Sequence, residues 1–93
     1  MKKVLLIGNG AREHVIAETL KRSPQGCEVY VYGKAMNPGL AEIAIGYELG
    51  GLNDMEAIVD FARANSIDFA VVGPENPLAD GVVDALAEAG IKS

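Results

Sequence analysis

The chain has 93 residues, 49% hydrophobic and 23% charged, with 13 acidic against 8 basic side chains and a net charge of -5. That length supports one small domain, the apolar content excludes a disordered chain, and the acidity lacks the basic footprint of a nucleic-acid binder. A single cysteine, Cys27, cannot form an internal disulfide, and one histidine leaves no cluster of metal ligands.

Met1-Lys2-Lys3 resembles the basic start of a signal peptide, but the apolar run behind it is four residues long and breaks at glycines. No segment approaches the length needed to cross a bilayer. A cytoplasmic protein with no nucleic-acid or membrane partner is therefore expected.

In chain order, Val4-Leu5-Leu6-Ile7 reads as a buried strand that runs into the turn Gly8-Asn9-Gly10. Ala11–Arg22 follows as a helix, with Val15, Ile16, Thr19 and Leu20 turned inward at spacings of three and four. Ser23-Pro24-Gln25-Gly26 ends it, and Cys27–Tyr32 is a second strand, rich in β-branched and aromatic residues. Gly33–Gly39 is dense in turn formers and reads as a loop. A short helical turn over Leu40–Ala44 and a weaker strand within Ile45–Leu49 come next.

Gly50-Gly51 breaks the chain, and Asn53 or Asp54, with Glu56 close behind, starts a helix running to Asn65. That helix places Met55, Ile58, Val59 and Ala62 on one face, with Phe61 beside it. Ile67–Val72 is a compact apolar run suited to a strand covered on both faces. It leads into Gly73-Pro74-Glu75-Asn76-Pro77. A last helix, Leu78–Ala89, buries Ala79, Val82, Val83 and Leu86, and Gly90 stops it; Ile91-Lys92-Ser93 begins another strand.

Alternating strands and helices of this length predict an α/β fold: a Rossmann-like, doubly wound parallel sheet of about four strands in the order 3-2-1-4, flanked by helices. In such a sheet ligands bind at the carboxyl ends of the first and fourth strands, where the connections part to opposite faces. Gly8-Asn9-Gly10 and Gly73-Pro74-Glu75 then line one crevice, although more than sixty residues separate them.

The chemistry expected there is that of an anion site. Glycines at 8 and 10 let a phosphate approach backbone N–H groups at a helix start, and Arg12 adds a charge-assisted bond. A helix dipole contributes only about 0.3–1 kcal/mol, so the turn and a cation are both needed. Glu75 suits hydrogen bonds from ribose hydroxyls or an amine, and Asn37-Pro38-Gly39 closes the side of the crevice.

The competing structural readings are a plain turn for the glycines, an exposed helix residue for Arg12, and dipole stabilisation for Glu13. His14 lies inside the helix and reads as a packing or capping residue, Cys27 as a small core residue, and Lys34 as either solvated or a phosphate contact. A dinucleotide site is disfavoured. Glu13 stands where G-x-G-x-x-G has its third glycine, and no acidic residue follows the second strand to bond a ribose. Lys34 leaves NADP as the surviving form of that alternative.

The motifs GNGAREH, NPG and VVGPENPLADGVVDAL together resemble the amino-terminal domain of the phosphoribosylamine–glycine ligase (glycinamide ribonucleotide synthetase) family, ATP-grasp enzymes of purine biosynthesis. The resemblance spans nearly all of the chain. It implies three loops that hold 5-phosphoribosylamine: Gly8, Asn9, Gly10, Arg12 and Glu13 in the first, Asn37, Pro38 and Gly39 in the second, and Gly73, Pro74, Glu75 and Pro77 in the third. Ala11 stands where the commoner motif has another glycine, and Lys34-Ala35-Met36 also departs from the family pattern.

The resemblance further implies that residues 1–93 are a single domain preceding the ATP-grasp region, a fragment inactive by itself whose partners are the amine substrate and the remaining domains. ATP and Mg2+ would bind outside these residues, and no catalytic or metal-binding residue is assigned within them. The alternatives are a stand-alone sugar-phosphate or nucleotide-binding module and an NADP-binding fragment.

Overall fold

The computed structural model describes residues 2–8, 11–22, 26–51, 54–72 and 79–92, with the side chains of residues 11–13, 79 and 80 left out. Strands and helices alternate as β1 (Lys2–Ile7), α1 (Ala11–Lys21), β2 (Cys27–Gly33), α2 (Pro38–Ile43), β3 (Gly46–Leu49), α3 (Met55–Ala64), β4 (Phe69–Val72) and α4 (Ala79–Glu88). The strands form one parallel sheet in the order β3-β2-β1-β4, as the alternation predicts. Beyond β4, Lys92 bridges to Phe69 in parallel, so the expected start of another strand lies beside β4.

Pleating divides the apolar residues between two layers. Val4 and Leu6 of β1 and Val29 and Val31 of β2 share one cluster with Ala17 of α1 and Leu40 of α2. Leu5, Ile7, Tyr30 and Tyr32 share the other with Ile58 and Ala62 of α3 and Val82 and Leu86 of α4. Most of these side chains are fully buried, each worth about 1.5–3 kcal/mol for the larger aliphatics. The first and last helices thus lie on opposite faces of the sheet.

The inward face of α1 differs from its expected position. Ala17 is fully buried, with Ile16 and Leu20 packed beside it, whereas Val15 is 63% exposed and Thr19 donates its hydroxyl to the Val15 carbonyl at 3.0 Å. The helix is turned by most of one residue step, bringing its smallest apolar side chain onto the valine surface and allowing close approach. α2 also begins earlier than expected, at Pro38.

Helix ends follow local chemistry. Asp54 accepts a hydrogen bond from the Ala57 N–H at 3.1 Å and so caps α3. Both α3 and α4 close with paired bonds from the second and third residues past the end: Ser66 and Ile67 to the carbonyls of Arg63 and Ala62, and Gly90 and Ile91 to those of Ala87 and Leu86. Ser66 (φ 52) and Gly90 (φ 82) take the left-handed conformation that this closure requires.

Candidate functional site

The carboxyl ends of the strands gather at one end of the sheet. Ile7, the last residue of β1, is in register with Tyr32 of β2 on one side and Val72 of β4 on the other. The chain leaves β1 towards α1 on the valine face, and leaves β4 towards α4 on the tyrosine face. A crevice at that divergence is the usual ligand position in such sheets.

Gly8 is buried, and its N–H donates to the Tyr32 carbonyl at 2.8 Å, so the first turn is tied to β2 at its outset. Its φ of 132 is one that a side chain resists, which explains glycine at this position. Asn9, Gly10, Gly73, Pro74, Glu75 and Pro77, together with the side chains of Arg12 and Glu13, lie outside the described residues. What the structure brings together is therefore the pair of strand ends that carry the first and third predicted loops.

The second predicted loop is shaped by a helix cap. Asn37 Oδ1 accepts from the N–H groups of Gly39 at 3.0 Å and Leu40 at 3.3 Å, and Pro38 occupies the first helical position. The Asn-Pro-Gly sequence is thus the cap and first turn of α2 rather than an open loop. An Asn followed by Pro is itself a cap signal, legible without the structure.

Two residues hold this region in place: His14, expected as a packing or capping residue, and Tyr47, which the sequence did not single out. A Cβ added at Gly39 would lie 2.6 Å from Cε1 of His14, so α2 begins flush against the imidazole on α1. His14 Nε2 lies 3.2 Å from Glu18 Oε1, in keeping with a packing role. On the other side the Tyr47 hydroxyl accepts from the Asn37 N–H at 3.1 Å and donates to the Ala35 carbonyl at 2.8 Å. No local sequence signal joins positions 35, 37 and 47; the contact exists because β3 pairs with β2 in parallel.

Tyr32 is fully buried, and its hydroxyl donates to the Gly51 carbonyl at 3.1 Å. Burial, then the charges of Asp54 and Glu48, push its phenol pKa above the ordinary value. Lys34 is exposed. Open surface cavities of about 480–570 Å³ lie between α3 and α4, at the amino ends of β1 and β4, and along α4. None is lined by a described candidate residue. Among the described residues no group of three or more His, Cys, Asp or Glu could hold a metal ion, and no helix is long and apolar enough to cross a membrane.

A family model described as the N domain of phosphoribosylglycinamide synthetase matches residues 2–93. Phosphoribosylamine–glycine ligase of Pyrococcus furiosus is 53% identical over 91 residues, and that of Methanopyrus kandleri 50% over 92. Each alignment covers 98% of this chain and 20% of the relative, so the chain spans about a fifth of the length of these proteins.

Among solved structures, N5-carboxyaminoimidazole ribonucleotide synthetase in its ADP complex superposes with a TM-score of 0.81 at 21% identity, over 98% of this chain and 23% of that one. RSP, a Rex-family repressor, in complex with beta-NADH superposes at 0.68 with 26% identity, over 98% of this chain and 43% of that one.

Proposed function

This chain belongs to the phosphoribosylglycinamide synthetase N-domain family, and from that premise we propose that it is the substrate-holding domain of a phosphoribosylamine–glycine ligase in purine biosynthesis. The observation that carries this reading is the register of Ile7 with both Tyr32 and Val72, from which three candidate loops depart at adjoining positions. In this reading Gly8, Asn9, Gly10 and Arg12 take the phosphate of 5-phosphoribosylamine, with Glu13 in the same turn. Glu75, after Gly73 and in a loop stiffened by Pro74 and Pro77, takes the ribose hydroxyls or the amine, and Asn37, Pro38 and Gly39 form the third wall. Hydrogen bonds to a charged group at about 1.5–3 kcal/mol each are strong enough to hold such a ligand where a helix dipole alone is not.

The reaction of the intact enzyme is ATP-dependent amide formation. Glycine is activated as an acyl phosphate, and the amine of the sugar phosphate attacks it to give glycinamide ribonucleotide, ADP and phosphate. The amine is itself the nucleophile, so this domain contributes by positioning it. ATP and Mg2+ bind in other domains of the same chain, and the setting is cytoplasmic.

An NADP-binding fragment is the competing reading, kept in view by a shared fold with an NADH-binding repressor. It lacks support from the end of β2, which reads Tyr32-Gly33-Lys34 with no carboxylate for a ribose. Titrating the protein with ribose 5-phosphate and, separately, with NADPH while following backbone amide shifts tests the choice. Shifts at Gly8, His14 and Gly39 with the sugar phosphate, and none with NADPH, are expected. A response to NADPH alone, centred on Lys34, overturns the proposal.

A further inference from the structure

We propose that Tyr47, on edge strand β3, is a positioning residue for the sugar-phosphate pocket: its hydroxyl fixes the Ala35–Asn37 backbone, and through it the Asn37-Pro38-Gly39 wall. The inference rests on the reading of that wall as part of the pocket.

Tyr47 closes the loop that leads from β2 to the cap of α2. Lys34, Ala35 and Met36 are exposed, and Met36 keeps 53% of its surface in water, so burial does little to hold them. The hydroxyl instead satisfies one donor and one acceptor of the segment, the Asn37 N–H and the Ala35 carbonyl. The Tyr47 ring packs on the valine-face cluster, which fixes where the hydroxyl sits. Its backbone is in register with Val31, so the sheet ladder sets the height of that anchor relative to the end of β2.

The opposite side of the wall rests on α1. Gly39 abuts the His14 ring, one turn into the helix that follows the first loop. The wall is therefore held between β3 and α1, with Tyr47 on one side and His14 on the other. Of the two, the Tyr47 contact is directional: two hydrogen bonds fix orientation as well as distance, whereas the His14 ring supplies a surface.

Removing the hydroxyl leaves the ring and the sheet intact but withdraws the acceptor of the Asn37 N–H and the donor to the Ala35 carbonyl. A hydrogen bond of ordinary strength corresponds to about a tenfold change in an equilibrium, so Tyr47→Phe is expected to weaken ribose 5-phosphate binding by up to about tenfold. Ala62→Gly, in α3 on the other face of the sheet, serves as a control of comparable instability far from the loop.

The experiment measures the dissociation constant of ribose 5-phosphate by calorimetry for the unmodified protein, Tyr47→Phe and Ala62→Gly, with amide spectra to locate the changes. Weakened binding in Tyr47→Phe alone, with shifts concentrated at residues 34–40, supports the assignment. Equal binding by Tyr47→Phe and the unmodified protein overturns it, as does an equal loss in both variants, which points to general loosening. If the unmodified protein does not bind ribose 5-phosphate, the pocket reading fails first and this proposal falls with it.

Discussion

Gly50 and Gly39 present the same local problem on opposite faces of the sheet, and the solutions differ. A Cβ at Gly50 runs into the Tyr32 hydroxyl, and one at Gly39 runs into the His14 ring. Tyr32 is wholly buried, its ring 6.3 Å from that of Phe61 and its hydroxyl committed to Gly51, so it has nowhere to retreat. The His14 side chain is 37% exposed and held by a half-exposed glutamate, so it can swing into water. A glycine without room for a side chain is thus a fixed constraint where its neighbour belongs to the core, and an adjustable one where its neighbour faces solvent. The tyrosine face behaves as scaffold, and the valine face at α2 is where the structure can give.

Three substitutions probe this contrast, beginning with the largest effect. Gly50→Ala should destabilise the protein by about 1–3 kcal/mol, the cost of overpacking a closed site, read from the urea midpoint. A loss below a few tenths would mean that Tyr32 is not fixed and would erase the distinction.

Tyr32→Phe removes the hydroxyl and one hydrogen bond, at about 0.5–1.5 kcal/mol near neutral pH. It also has a pH signature. Because the folded protein raises the phenol pKa, the unfolded chain releases this proton first, near the usual value of about 10. The contribution of Tyr32 is therefore complete below that value and is lost as pH rises through the raised folded one. Unfolding free energies measured from about pH 8 to about pH 12 should fall less steeply in Tyr32→Phe than in the unmodified protein.

Gly39→Ala should change stability by no more than about 0.5 kcal/mol, since the loss of a half-exposed His14–Glu18 contact is offset by the lower chain entropy of alanine. In a His14→Ala background the same change should stabilise by about 0.4–1 kcal/mol, because the obstruction is gone and Gly39 is helical. A double-mutant cycle with no coupling would show that the imidazole does not seat the start of α2.

Much of the architecture was legible beforehand because it depends on short-range periodicity. The four-residue apolar runs of β1 and β4, the spacing of Ile58 and Ala62 in α3, and the glycine that stops α4 at Gly90 all have local causes. The strand order followed from the usual arrangement of doubly wound sheets, the class that the strand–helix alternation points to. The rotation of α1 was not legible: Val15 and Ala17 fit an apolar stripe equally well, and packing on the valine surface selected the smaller.

The sequence by itself determined which segments become strands and helices and which end of the sheet would carry the glycine turns, since both depend on residue spacing and chain direction. The alternation pointed to the doubly wound class with its usual strand order. Only the tertiary structure decided that the start of α2 is seated against His14, and that Tyr47 ties down the approach to it. Those contacts join residues ten or more positions apart through the register of neighbouring strands and the packing of two helices, geometry that no local pattern of side chains encodes.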